Sequence, residues 1–162
     1  MRSYVSVMGL YLLFITCLIV GAPGGVQGEE TVLRELNVGE TAEVAVAAKE
    51  YWNHSGLLLK KGEHNDLEVP GNQTWWDAGN QSGADGYSTW KLAPFAILRR
   101  YVSEKWFVLV GTIDYKKAFV IGRQLKGFTP ELDGELTCYA NDARGFYGNN
   151  RGELLLKVTR ID

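Results

Sequence analysis

Residues 134–158 read GELTCYANDARGFYGNNRGELLLKV and consist of two alternating segments on either side of a polar loop. Apolar residues recur at every second position of both segments, at Leu136, Cys138, Ala140, Leu154, Leu156 and Val158. This alternation is typical of half-buried β-strands. The stretch therefore predicts two strands, and a connection of this length between strands is more often a binding loop than a tight turn.

The connecting loop is rich in side-chain oxygen, which Asn141, Asp142, Asn149 and Asn150 supply, and its glycines let the chain fold back on itself. Calcium takes about six to eight oxygen ligands and tolerates irregular geometry. With Asp142 as the only obvious carboxylate, a calcium site here is expected to be weak, with a Kd of about 10⁻⁴ to 10⁻³ M. Asn, Asp and Gly also form ordinary turns, so the spacing alone leaves both interpretations open.

The chain before this loop follows the same plan of short strands separated by turns. Further strands are predicted at residues 31–36, 42–48, 57–59, 66–69, 107–110 and 118–121. No window carries a sustained apolar repeat at helical spacing. The sequence therefore predicts an all-β protein, most economically a β-sandwich.

The N-terminus has the features of a secretory signal peptide. Arg2 precedes an apolar run at residues 8–20, and small, turn-prone residues follow up to Gly28. We predict cleavage after Gly28, with a site nearer Ala22 as second choice, since the run is short for a membrane anchor of about 20 residues. Residues 1–28 would then be the signal peptide and residues 29–162 a single secreted domain, extracellular or, in a bacterium, periplasmic.

Charge and cysteine content narrow the function classes. Removing residues 1–28 leaves 16 basic against 19 acidic residues, a net charge of −3, which gives no support to binding of nucleic acid or anionic membranes.

Cys138 is the one cysteine of the mature domain, so no internal disulfide can form, and its place on an apolar face predicts a small buried side chain. Three glycosylation sequons start at Asn53, Asn72 and Asn80.

The order of these segments resembles the calcium-dependent galactophilic lectin I (LecA-like) family, whose domains are galactose-binding-like jelly rolls. The resemblance is loose at residues 52–62, 83–87 and 94–98, the last of which corresponds to a strand of the family. It is most specific at residues 141–152, which match the family's pattern of Asn-Asp, three variable residues, an aromatic-containing turn and a double Asn before Gly.

The resemblance implies a calcium-dependent carbohydrate-binding site. Side-chain oxygens of Asp142, Asn149 and Asn150 and the carbonyls of Phe146 and Ala78 would bind Ca²⁺. Two neighbouring sugar hydroxyls would complete the calcium shell and hydrogen-bond to Asp142, Ala143 and Asn149. The partner would be a glycan or glycoconjugate, and the chain would act as a lectin without catalysis, with homo-oligomers as a further possibility.

The chain also departs from the family in the segment that reads the sugar. The lectins carry a longer loop with a His and a Gln there, whereas residues 87–93 contain neither, so galactose specificity does not carry over. Either Trp90 and Lys91 would shape the pocket instead, or the pocket would be absent. A tryptophan such as Trp75, Trp76 or Trp90 could either stack on a sugar ring or fill the core. Two cations flank the loop, Arg144 and Arg151; if they faced the site, they would weaken calcium binding and favour acidic sugars.

Two other function classes are weighed against the lectin. In the first, the sandwich binds a protein partner, and a calcium ion, if present, only stabilises the conformation of the loop. In the second, it is a hydrolase, but His54 and His64, the only histidines, lie in no catalytic or zinc-ligand spacing. We therefore expect the protein to have no enzymatic activity.

Overall fold

The computed structural model describes residues 32–162, which confirm the predicted all-β sandwich. Within this range the strands are β1 (Arg34–Glu35), β2 (Thr41–Ala47), β3 (Asn53–Leu59), β4 (Asn65–Glu68), β5 (Trp75–Asp77), β6 (Asn80–Ser82), β7 (Asp85–Tyr87), β8 (Trp106–Ile113), β9 (Phe119–Val120), β10 (Gln124–Phe128), β11 (Gly134–Ala140), β12 (Asn150–Arg151) and β13 (Glu153–Arg160). Two 3₁₀ helices, Trp90–Leu98 and Tyr147–Asn149, lie between strands. The predicted signal peptide, residues 1–28, lies outside the described residues.

Two main sheets enclose the core. The first has the order β1-β3-β11-β8-β7, with β9 pairing on β8, and the second has the order β10-β4-β13-β2. Their inward faces meet through alternating residues, so that Val46, Leu136 and Leu156 are fully buried in one apolar cluster. Burial of such side chains contributes about 1.5–3 kcal/mol each. Cys138 belongs to the same cluster and is fully buried.

A third, small sheet positions the polar loop. Its order is β12-β5-β6, in which Asn150 is directly opposite Asp77 and Asp77 is directly opposite Asn80. The two-residue turn Ala78-Gly79 joins β5 to β6. The loop that follows β11 thus returns to the sandwich by pairing with this hairpin, because β12 directly precedes β13.

Most predicted strands are present with shifted ends. The strand predicted at 31–36 is limited to Arg34–Glu35, which pairs in parallel with β3. The expectation of a strand at 94–98 was wrong, because these residues belong to the 3₁₀ helix Trp90–Leu98. Its apolar residues Leu92, Phe95 and Leu98 recur with a period of three, which suits the three residues per turn of a 3₁₀ helix and not the two-residue repeat of a strand.

The sequons lie in different environments. Asn53 is buried, and its side chain hydrogen-bonds to both backbone groups of Ala47 and to the carbonyl of Cys138. Asn72 and Asn80 are exposed. Among residues 32–162, no helix is long and apolar enough to cross a lipid bilayer.

Candidate functional site

A cavity of about 340 Å³ opens where the polar loop, the β5–β6 hairpin and the 3₁₀ helix Trp90–Leu98 meet. Its polar lining residues are Asp77, Asn80, Asp142 and Asn149, and its apolar lining residues are Ala78, Leu92, Phe95, Leu98, Trp106, Ala143 and Phe146. Polar groups from two loops therefore face an apolar wall, an arrangement common in small-molecule sites.

Asp142 is buried and at the centre of the polar side. Its Oδ2 accepts a hydrogen bond from Nδ2 of Asn150 at 2.9 Å, and its Oδ1 accepts one from the backbone N–H of Ala143 at 2.6 Å. The amide of Asn150 also donates to the carbonyl of Ala48 at 3.3 Å. Since Oδ1 of Asn150 is buried without a hydrogen-bond partner, one oxygen beside Asp142 is left unsatisfied.

Burial determines the electrostatics of Asp142. Loss of hydration raises the pKa of its carboxyl above the usual value, although the hydrogen bonds from Asn150 and Ala143 oppose this shift. The nearby carboxylate of Asp77 raises the same pKa further, because two like charges repel each other. No Lys, Arg or His among residues 32–162 forms an ion pair with either carboxylate. The cavity therefore has two carboxyl groups that no basic side chain of this range neutralises.

The β5–β6 hairpin contributes the second polar edge. Ala78 has a φ of +48°, a left-handed conformation that is uncommon for residues with a Cβ and that is often found at functional sites. Asp77 accepts a hydrogen bond at Oδ2 from the hydroxyl of Tyr87 at 2.5 Å. Burial and this bond to Asp77 raise the pKa of Tyr87, so its hydroxyl remains a donor.

The apolar wall follows from the geometry of the 3₁₀ helix. Residues three apart lie above one another on such a helix, so Leu92, Phe95 and Leu98 share one face, and all three line the cavity. Pro94 is compatible with this segment because it fixes φ near the helical value. Trp90 lies off this face: its side chain is 82% exposed and is not part of the cavity lining.

Two residues tie the wall to the polar loop. The backbone N–H of Arg100 donates to the carbonyl of Asp142 at 3.1 Å, and its guanidinium lies over the rings of Tyr51, Trp52 and Tyr139. Asn141 is fully buried and hydrogen-bonds through its side chain to the backbone of residues 101 and 105. These contacts hold the segment after the 3₁₀ helix against the start of the loop.

The cavity gathers most of the residues that the sequence singled out. Asp142, Ala143, Phe146, Asn149 and Ala78 line it. Asn150 is not part of the cavity lining, but its Nδ2 donates a hydrogen bond to Oδ2 of Asp142, which is. Trp90 is not brought to the cavity. Asp77 and Asn80 do line the cavity but were missed as site residues, because only the pairing of β12, β5 and β6 places them there.

The two arginines that flank the loop differ in position. Arg151 lies over the ring of Trp76, and its Nη2 donates to the carbonyl of Ala78 at 3.4 Å, on the edge of the cavity. Arg144 lines a neighbouring cleft together with Ile97 and Phe146. Arg151 therefore competes for one carbonyl that the resemblance assigns to calcium.

The histidines are placed away from this cavity, and neither lines it. Nδ1 of His54 is 2.8 Å from Oε2 of Glu135, and Nδ1 of His64 is 2.8 Å from Oδ1 of Asp162. Both imidazole side chains are more than half exposed. Each histidine therefore forms a surface pair with a carboxylate.

The residues present fit an oxygen-coordinated cation. The unsatisfied Oδ1 of Asn150 and the buried carboxylate of Asp142 are hard oxygen donors, the kind that calcium prefers. Across the described part of the chain, no three His, Cys, Asp or Glu side chains form a metal-binding group. A cation here would therefore draw on amide and carbonyl oxygens in addition to carboxylates.

Comparison with known proteins gives a structural neighbour. The fold is similar to that of a solved structure described as "EclA N-terminal domain; PllA-like lectin", with a TM-score of 0.55, 18% sequence identity, and coverage of 74% of this chain and 94% of that chain. No family model and no curated protein matches the sequence. The chain thus has an all-β sandwich fold that is also found in a lectin domain.

Proposed function

We propose that this protein is a secreted, non-enzymatic lectin that binds carbohydrate at the cavity between the polar loop and the 3₁₀ helix. The observation that carries the proposal is the convergence of Asp142, Phe146 and Asn149 of the polar loop with Ala78 of the sequence-distant β5–β6 hairpin on one cavity. The fold shared with a lectin domain supports it.

The polar side of the cavity would bind saccharide hydroxyls. We propose that Asp142, Asn149, Asn150 and the carbonyls of Phe146 and Ala78 hold a calcium ion, which would offer coordination positions to two neighbouring hydroxyls. The carboxylate of Asp142 would accept a hydrogen bond from a hydroxyl, and bonds to charged acceptors are the stronger kind. Because the N–H of Ala143 already donates to Asp142, it would have to be shared with the sugar.

The apolar side would contact the carbon face of the sugar. Phe95 and Phe146 line the cavity and are exposed, so their rings are accessible to a ligand. Aromatic rings pack against the C–H surface of a saccharide while its hydroxyls face the polar groups. Phe95, Phe146 and Leu98 would thus make the apolar contact with the sugar that was expected of Trp90.

The experiment is a glycan array probed with the purified protein in calcium and in EGTA. We expect binding in calcium that EGTA removes, and loss of binding in Asp142→Asn, because this variant replaces a charged acceptor by a neutral amide. Binding that persists in EGTA would contradict the role of calcium.

A matched control is Glu43→Gln, which removes one carboxylate charge from an exposed position on β2. This variant should bind glycans like the wild type. If Glu43→Gln lost binding to the same extent as Asp142→Asn, the effect would come from net charge and the cavity would not be the binding site.

A second candidate function is protein binding with a structural calcium ion or none. It is favoured by the exposed apolar side chains of the 3₁₀ helix, with Trp90 82% and Ile97 74% exposed. The two functions differ in thermal unfolding. In a lectin, methyl glycosides added to the calcium-bound protein raise the Tm further, since any ligand of the folded state stabilises it; with a structural ion alone they do not.

A further inference from the structure

The small sheet places three oxygen-bearing side chains in one cross-strand row. Asn150 of β12, Asp77 of β5 and Asn80 of β6 are directly opposite one another. Directly opposite residues of an antiparallel pair project from the same face with their Cβ atoms about 4.5–5.5 Å apart. The row therefore lies on one face, and Asp77 and Asn80 line the same cavity as Asp142.

Asp77 is a buried carboxylate without a basic partner. It is 9% exposed, and its Oδ2 accepts the hydroxyl hydrogen bond of Tyr87. No basic side chain of residues 32–162 pairs with it, since the guanidinium of Arg151 reaches only the carbonyl of Ala78 at the edge of the cavity, and the like charge of Asp142 lies close enough to interact with it. Two carboxylates that line one cavity without a basic partner repel each other, and either protonation of one carboxyl group or a cation bound between them relieves this repulsion.

A second and independent observation points to the same place. Asn150 is 6% exposed, its amide nitrogen is bonded to Asp142, and its Oδ1 has no hydrogen-bond partner among residues 32–162. A buried amide oxygen without a hydrogen-bond partner destabilises the folded state, so a partner is expected. Coordination to a cation would satisfy it together with both carboxylates.

We infer that Asp77 is a second carboxylate of the calcium site, in addition to the ligands that the sequence resemblance implies. This inference rests on the proposed calcium site and adds to it. The implied ligand set contains one carboxylate, Asp142, from which the sequence predicts weak binding. Since calcium affinity rises with the number of ligand charges, Asp77 moves the site to tighter binding than that of a single-carboxylate site.

The experiment measures calcium affinity by isothermal titration calorimetry on the purified protein, without any glycan. We expect the wild type to bind one calcium ion, and Asp77→Asn to weaken its Kd on the order of tenfold, because one ligand charge is lost while the shape is kept. Asp142→Asn should bind more weakly than the wild type as well. Glu43→Gln should retain the wild-type Kd, because its carboxylate is remote and exposed.

A second measurement avoids mutation, since Asp77→Asn alters a buried site and could unfold it. In wild-type protein labelled with ¹³C in its aspartates, the Cγ resonance of Asp77 should shift on addition of calcium, whereas that of Asp133 should not. Asp133 is a suitable reference because its Oδ1 accepts a backbone hydrogen bond from Lys61, on an exposed turn.

The outcomes separate the two proposals. If the wild type binds no calcium, the calcium site of the proposed function fails and Asp77 has no role in it. If the wild type binds calcium and Asp142→Asn weakens it, but Asp77→Asn and the Asp77 resonance are unaffected, the proposed function stands and the inference on Asp77 is overturned.

Discussion

At the scale of single residues, the contrast between Asn53 and Asn65 shows what a buried amide contributes. Both are buried, but Asn53 makes three hydrogen bonds across β2, β3 and β11, whereas neither side-chain polar atom of Asn65 has a partner. A buried polar group without a partner costs about 1–3 kcal/mol, and a satisfied one stabilises. An asparagine side chain therefore stabilises the fold at position 53 and destabilises it at position 65.

Replacing each asparagine by leucine tests this difference. We expect Asn65→Leu to raise the free energy of unfolding by about 1 kcal/mol, because an unsatisfied amide is replaced by an apolar side chain of similar size. Asn53→Leu should lower it by about 3 kcal/mol, since three bonds are lost. Urea unfolding measures both, and a loss of stability in Asn65→Leu would contradict the assignment of Asn65 as unsatisfied.

The burial of Cys138 predicts that its thiol does not react at mildly alkaline pH in the native protein. Complete burial raises the pKa of its thiol to about 12, because the thiolate would lose its hydration. At pH 8 the native protein should therefore not react with a thiol reagent such as DTNB, and it should react in full once unfolded in guanidinium chloride. Rapid labelling of the native protein at pH 8 would show that the thiol is accessible.

Site residues were predictable where they are close in sequence. Asp142, Phe146 and Asn149 belong to one loop, so their spacing alone suggested that they converge. Asp77 was missed, because its place beside Asn150 depends on the register of β5 with β12, which pairs residues more than seventy positions apart. Local patterns do not specify such register, which is set by packing of whole strands.

At the scale of elements, strands with clean alternation were predicted best. β2 and β13 have one buried and one more exposed face over most of their length, so their period of two is visible in sequence. β11 was predicted from the same alternation of apolar residues, although all of its residues except Glu135 are buried. The 3₁₀ helix Trp90–Leu98 was missed, because its period of three resembles neither the strand nor the α-helix repeat. This helix forms the apolar wall, so the error also misplaced Trp90.

Asn141 contributes three of the hydrogen bonds that hold the connection after the 3₁₀ helix. Asn141 donates to the carbonyls of Tyr101 and Lys105 and accepts from the N–H of Tyr101, each at 2.9 Å. Asn141→Ala should lower the free energy of unfolding by about 3 kcal/mol, since all three hydrogen bonds to the part-buried backbone of residues 101 and 105 are lost.

The same variant should also weaken glycan binding, because the wall would no longer be held against the loop. Thermal unfolding and the glycan array measure the two effects. Asn72→Ala is the control: Asn72 is exposed, so its removal should change stability by less than about 0.5 kcal/mol. A stable Asn141→Ala would show that the connection is held by other contacts, such as those of Arg100.

At the scale of the whole molecule, one surface is unusually apolar. Its exposed side chains, which we call the apolar rim, are Trp90, Phe95, Ile97, Leu98, Val102 and Phe146. Leu98 and Phe146 line both the main cavity and the neighbouring cleft, so the rim is continuous with the proposed binding site. Contiguous exposed apolar surface is uncommon on monomeric proteins and marks interaction sites.

The apolar rim predicts self-association of the protein in solution. We expect the sedimentation coefficient of the wild type to rise with concentration, and Ile97→Ser to reduce this rise, because Ile97 is 74% exposed at the rim. Ile97 does not line the main cavity, so glycan binding should be unchanged. Val38→Ser, on a turn outside the rim and 63% exposed, is the control and should sediment like the wild type. If the wild type remained monomeric at every concentration, the apolar rim would not mediate self-association, and its ligand would be the glycan or another partner.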